Sequence, residues 1–199
     1  MSIMMAQPSL LLNSYSFQDL GGCGMFMDTT WNCPRNATPQ NIVGWILAAY
    51  NKSPNKHLHN VVLNFHGEPG EIYVGEAVPE VMYRGHYSPA KYNMIDPSNA
   101  GVVFSALKGK SIGTIWLHSC AVAKGLRGKF VCREIALAAG CNVVAAEEDQ
   151  QEYWGPLAYL VLRRGTIDDY EGPVHIWTPD GNHRRFDPNG GHWNANRRN

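Results

Sequence analysis

The 199-residue sequence has no CxxC pair, no HExxH or comparable metal spacing, no apolar run of membrane-spanning length and no surplus of either charge. Each absence excludes something. Without closely paired cysteines there is no zinc knuckle, and five cysteines, an odd number, do not form a disulfide framework, so reduced thiols are expected. A formal net charge of zero argues against a nucleic-acid or membrane-surface binder, which would need a basic patch. The Arg197-Arg198 pair sits in a polar tail and reads as solvated. No segment reaches the length needed to cross a bilayer. The N-terminus lacks a basic region, and Leu10-Leu11-Leu12 is too short for a secretory signal. A cytoplasmic location where the chain is made is therefore expected, and export without a cleaved signal stays open. No internal repeat and no low-complexity linker divide the chain. No metal and no cofactor is expected.

What is present is enough to fold. Apolar residues make up 44% and charged residues 17%, a balance that buries a core. One domain over residues 1–199 is expected, with a core from about 38 to about 180 and irregular ends. Thr38-Pro39 predicts a helix start, and Ile42, Trp45, Ile46, Ala49 and Tyr50 continue at helical spacing until Pro54 stops them. A strand is expected near Leu10–Phe17, another over Asn60–Phe65, and a second member of a hairpin at Glu71–Val74. Residues 76–94 read as a long loop. Asp96-Pro97 announces a helix over Val102–Leu107, followed by a strand over Ile112–His118. Leu126, Phe130, Val131, Ile135 and Ala138 predict a helix closed by Gly140. Asn142–Ala146 and Val174–Thr178 read as strands, and Tyr153–Leu162 as a helix. Strands alternating with helices predict an α/β fold: a mostly parallel central sheet with helices on both faces.

Two strand ends carry the chemistry. Asn60–Gly67 reads NVVLNFHG and stops at His66-Gly67; Ile112–Ala121 reads IGTIWLHSCA and stops at Ser119-Cys120. In parallel α/β sheets, sites form where loops leave the C-terminal strand ends. There His66 and Cys120 are candidates for a thiolate–imidazolium pair, a nucleophile for acyl transfer. The amides of Gly67 and Cys120 are candidate donors to the negative oxygen of the intermediate. His118, two residues before Cys120, competes as the base or serves as a wall residue, and His57, His59 and His86 are further histidines that could approach. Glu147, Glu148 and Asp149 end the Asn142–Ala146 strand and either hold a basic side chain of a substrate or form a solvated loop. Cys132 and Cys141 read as core residues, and Cys23, in GGCG, as a turn thiol.

These stretches resemble the caspase-like clan of cysteine peptidases. In that clan one apolar strand ends in His-Gly and a later one in a small residue plus Cys. The candidate residues lie 54 apart (120 − 66), close to the spacing of about 50 in caspases. The caspase signature around the cysteine is absent. A nearer likeness is to bacterial caspase-like domains with the pattern HGxPGxxxxG, CxxAxGxxGxxF and then a Gly-x-x-Val-x-Ala segment. Here those are HGEPGEIYVG from His66, CAVAKGLRGKF from Cys120 and GCNVVAAEE from Gly140, so the likeness covers roughly residues 58–150. The resemblance implies a three-layer caspase-like sandwich, a His66–Cys120 dyad, oxyanion donors at Gly67 and Cys120, and a protein or peptide substrate. It implies no obligatory third residue.

The resulting expectation is a cysteine endopeptidase, as a bacterial effector or toxin module. The alternatives are another acyl transfer on the same dyad (transpeptidase, amidase or deamidase) and a non-catalytic protein-binding module.

Overall fold

A computed structural model describes residues 2–16, 25–75, 81–83, 86–88, 93–150 and 164–188. In chain order the elements are β1 (Ser2–Met4), β2 (Ser9–Asn13), β3 (Thr29–Asn32), α1 (Pro39–Lys52), β4 (His57–Asn64), β5 (His66–Glu68), β6 (Glu71–Tyr73), β7 (Val81–Tyr83), β8 (His86–Ser88), β9 (Met94–Ile95), α2 (Ala100–Phe104), β10 (Ser111–His118), α3 (Gly125–Ala139), β11 (Asn142–Ala146), β12 (Thr166–Asp168), β13 (Val174–Trp177) and β14 (His183–Arg185).

The centre is a seven-stranded sheet ordered β14-β13-β11-β10-β4-β2-β3. Its five strands from β3 to β11 are parallel, and β13 and β14 add an antiparallel edge. The runs of β4 and β10 are continuous rather than alternating because both their faces are covered. Val61 and Leu63 face one layer, Val62 the other, and all three are fully buried.

Chain direction decides where the helices go. From β3 over β2 to β4, then to β10, then to β11, every crossover advances the same way across the sheet. Right-handed crossovers of one sense put their helices on one face. Accordingly α1, α2 and α3 pack into a single core with Leu10, Leu12, Val61, Leu63, Ile115, Leu117 and Val143. The β2-to-β3 step runs the opposite way. Its described end, Met25 and Met27, packs on the other face with Leu11, Val62, Trp116 and Val144, beside the β1–β12 ribbon. Helices on both faces were expected; the described helices occupy one face only. The expected helix at Tyr153–Leu162 and the turn at Cys23 lie outside the described residues.

Helix α1 begins as its sequence dictates. Asn41 N–H donates to Thr38 Oγ1 at 3.3 Å and Thr38 N–H to Asn41 Oδ1 at 3.0 Å, a reciprocal cap, with Pro39 in the first turn. Such a cap contributes about 1 kcal/mol. Ile42 and Ile46 are fully buried, each worth roughly 1.5–3 kcal/mol relative to exposure. Helix α3 spans the expected range and ends at Gly140 with φ 69°. Its buried face matches the expected one in part: Val131 and Ile135 face inward and Ala138 packs against the core, joined by Gly128, Cys132, Ala136 and Ala139, while Leu126 and Phe130 are exposed.

The hairpin also differs. Glu71–Tyr73 pairs with His66–Glu68, after the long strand rather than with it. Within the segment expected to be a loop, β7 and β8 form a second short hairpin. Cys132 and Cys141 are buried, as their patterns implied. No described helix is long and apolar enough to cross a membrane.

Candidate functional site

Strand register brings the two candidate turns together. β4 and β10 pair in parallel from Ser111 with His57 through to His118 with Asn64. His66 and Cys120 each follow that last pair by two residues, at matching steps beyond adjacent strands. Parallel neighbours lie about 4.8 Å apart, so the register alone delivers both residues to one sheet end.

The turns are in direct contact. A Cβ built on Gly67 would lie 3.0 Å from Ser119 Cβ and 2.8 Å from Val122 Cγ2. Only glycine lets the His66 turn sit this close to the Cys120 turn. The hairpin register bears on its amide. Glu68 and Glu71 close the two-residue Pro69-Gly70 turn, and Val74 N–H donates to the Asn93 carbonyl on the far side of β6. Pairs alternate along an antiparallel ladder. Gly67, opposite Ile72, therefore takes the non-hydrogen-bonded position, and its N–H faces away from β6.

The Cys120 turn is held from the other side by β11. Ala121 N–H donates to the Glu148 carbonyl and Ala123 N–H to the Ala146 carbonyl, both at 2.9 Å, and Lys124 N–H closes back on the Ala121 carbonyl. Ala121 has φ 48°, a left-handed conformation for a residue with a Cβ. Such a residue costs about 1–3 kcal/mol and persists where neighbours over-determine it. Cys120 is partly exposed, and its Sγ lies 3.8 Å from the Gln150 carbonyl oxygen as donor. The other described cysteines differ: Cys33, Cys132 and Cys141 are buried. Burial pushes the Cys33 and Cys141 thiols up to about 12, and it raises the Cys132 thiol as well. Cys120 is thus the accessible thiol among the described residues.

His66 is exposed, on the outer face of the hairpin with Glu68, Glu71 and Tyr73; Gly67 and Ile72 form the inner face. His118 is 1% exposed and lies on the face opposite the helices, its ring 5.3 Å from Tyr170. That is a wall position, with Asp168 close enough for His118 to act on its ionisation. His57 and His59 open β4, at the end of the sheet remote from Cys120. His57 Nδ1 contacts Ser111 Oγ at 2.7 Å and its Nε2 contacts His59 Nδ1 at 3.2 Å. Seven steps of about 3.3 Å separate the start of β4 from its end, so neither histidine reaches the Cys120 turn. His86 lies in β8, and its side chain falls outside the described ones.

The acidic trio is divided. The Glu147 carboxylate is 3.0 Å from both Lys129 Nζ and His175 Nε2. Glu148 is exposed, 3.9 Å from Lys124 Nζ, and contributes its carbonyl to Ala121. Asp149 is exposed beside them. Glu147 is therefore engaged within the fold, and Glu148 and Asp149 face outward next to the Cys120 turn.

A polar row lines the same sheet end. Asn64 Nδ2 donates to Asn13 Oδ1 at 3.0 Å, and Asn13 Nδ2 to Asn32 Oδ1 at 3.3 Å. Ser119 Oγ and Asn64 Oδ1 are buried without a hydrogen-bond partner among the described residues. Orphan polar atoms of this kind are rare in native folds. Sequence reasoning missed Ser119, Gln150 and the left-handed Ala121. Only the strand-end position of Ser119-Cys120 pointed toward them, and no residue pattern marks a carbonyl as a thiol partner. No group of three or more His, Cys, Asp or Glu among the described residues is arranged to hold a metal ion.

No protein-family model, no curated protein and no solved structure matches this chain.

Proposed function

We propose that the chain is a cysteine endopeptidase working through a His66–Cys120 dyad on a three-layer caspase-like sandwich. The observation that carries this reading is the β4–β10 register, which sets both residues two steps past paired strand ends. The close approach of Gly67 to Ser119 and the exposure of Cys120 alone among the described cysteines support it.

In this reading the Cys120 thiolate attacks the carbonyl carbon of the scissile peptide bond. The carbonyl oxygen takes the negative charge, held by the Gly67 and Cys120 amides, each worth about 3–4 kcal/mol to the transition state. His66 gives its proton to the departing amine as the C–N bond breaks, leaving a thioester on Cys120. His66 then takes a proton from water, whose oxygen attacks the thioester, releasing the acid and restoring the Cys120 thiolate beside the protonated His66. The Ala121 amide donates to Glu148, so it is excluded from the oxyanion role. Glu148 and Asp149 beside the turn favour a substrate with a basic residue near the cut.

A proteome-wide scan for new N-termini, with the wild-type chain and Cys120→Ala, tests the proposal. New termini that disappear in Cys120→Ala support it. Equal cleavage by both proteins removes it, and one-unit mass gains or new amides without new termini assign a deamidase or transpeptidase instead.

A further inference from the structure

We propose that Glu71 and Arg127 form a clamp that positions the His66 hairpin over the Cys120 turn. The proposal rests on the dyad reading above.

The clamp joins the two halves of the site through side chains. Glu71 is on β6, and Arg127 is in the first turn of α3, which starts five residues after Cys120. One Glu71 oxygen accepts from Arg127 Nη2, and the other accepts from Tyr73 Oη at 2.9 Å. Tyr73 is the register partner of His66 across the hairpin. A continuous set of contacts therefore runs from the His66 pair through the Tyr73 phenol and the Glu71 carboxylate to the helix that follows Cys120. Burial and the neighbouring carboxylates of Glu71 and Glu68 keep the phenol protonated, so it remains a donor.

The backbone is fitted to the same contact. Gly70 N–H donates to the Val122 carbonyl at 3.1 Å. Gly70 has φ 76°, and a Cβ built on it would lie 2.7 Å from Arg127 Cγ and 3.0 Å from the Arg127 carbonyl carbon. The hairpin tip thus rests on Arg127 itself. The Glu71 side chain is 17% exposed and that of Arg127 53%. An exposed pair contributes only about 0–1 kcal/mol to stability. Placement is a different quantity, because a shift of about 1 Å between reacting groups costs on the order of 10²-fold in rate.

The test is the pH profile of Cys120 alkylation by iodoacetamide in the full chain, read by mass spectrometry of the Cys120 peptide. Glu71→Gln, Tyr73→Phe, Arg127→Met, Arg127→Lys, the Glu71→Gln/Arg127→Met double variant and His66→Ala are compared with wild type. A histidine-paired thiolate reacts well below the ordinary thiol range, and an unpaired one follows a titration near 8.5. Glu71→Gln and Arg127→Met are expected to lower the rate at pH 6 by about ten-fold or more. They move the profile toward that of His66→Ala. Arg127→Lys restores most of the wild-type rate, and the double variant is no slower than either single one. Thermal unfolding midpoints verify folding, and Tyr73→Phe, which removes one oxygen, gives a graded loss if Glu71→Gln does not fold. Clamp variants that keep the wild-type profile, while His66→Ala loses its low-pH reactivity, overturn the clamp and leave the dyad standing. A wild-type profile identical to that of His66→Ala overturns the dyad, and the clamp with it.

Discussion

Gly67 and Ser119 touch across the gap between two turns: a methyl group on Gly67 would stand 3.0 Å from Ser119 Cβ and equally close to the Glu71 carbonyl oxygen. The Glu71 contact is backbone and cannot yield as a flexible side chain would. Gly67→Ala is therefore expected to destabilise the fold by about 1–3 kcal/mol, the range for overpacking a filled site. It is also expected to separate the His66 and Cys120 turns. Urea denaturation measures the first effect, and Cys120 alkylation at pH 6 in the folded variant the second. A fully stable and fully reactive Gly67→Ala would show that the turns need no close approach.

Thiol reactivity offers a second check that needs no substrate. Cys33, Cys132 and Cys141 are buried, and burial raises all three thiols above their ordinary range. Cys120 is partly exposed. Among these four, a disulfide reagent applied to the folded protein is expected to label Cys120 first. The other three should wait for unfolding, and reactivity should converge in denaturant. Peptide mapping after short exposure reads the order directly. Fast labelling of Cys132 in the native protein would contradict the fold around α3.

The sequence showed some of this plainly. Thr38-Pro39 and the spacing after it marked α1 because its capping chemistry is local. The apolar runs of β4 and β10 were visible because strands buried on both faces need no alternation. The short strands β1, β3 and β14 left little trace, since three or four residues carry no period. Val131 and Ile135 face inward on α3 as their spacing implies, whereas Leu126 and Phe130 do not, for a physical reason. A Cβ built on Gly128 would meet the Val122 carbonyl oxygen at 2.3 Å, so the helix seats on that glycine, and Leu126 and Phe130 are turned outward. A pattern that weighs hydrophobicity counts glycine as nothing and cannot find such a contact. Likewise His66 and Cys120 were legible as strand ends, whereas the Glu71–Arg127 link required knowing where the hairpin folds back.

Asp168 is expected to contribute less to stability at neutral pH than it does in acid. The residue is 7% exposed, and burial raises its carboxyl above the ordinary value, against the opposing effects of the Asp169 N–H and His118. A carboxyl raised in the folded state binds its proton more tightly there than in the unfolded chain. Stability is lost as pH climbs from the unfolded value, about 4, through the raised folded one. Asp168→Asn keeps an acceptor for Asp169 and has no charge to bury. It is expected to be more stable than wild type at pH 7, with the advantage shrinking toward pH 3. Chemical denaturation of both proteins across that range tests it, and a constant difference at all pH values would rule out titration as the cause.

His175 acts in the opposite sense and in a different window. It is 6% exposed at the antiparallel edge, with Glu147 just after β11, Lys129 from α3, and His183 and Arg185 from β14 around it. Burial lowers its proton affinity most; Glu147 opposes that, and Lys129, His183 and Arg185 reinforce it. A histidine lowered in the folded state stabilises the fold while neutral, and that stability is lost as pH falls below the unfolded value of about 6.5. The His175 contribution is therefore expected to fade as pH drops below about 6.5, so that wild type loses stability there relative to His175→Gln. Because β13 pairs with β11 just before Glu147, hydrogen exchange should locate the acid-induced loosening first at β13 and β14. Loosening that starts in β4 or β10 would place the acid-sensitive group elsewhere in the sheet.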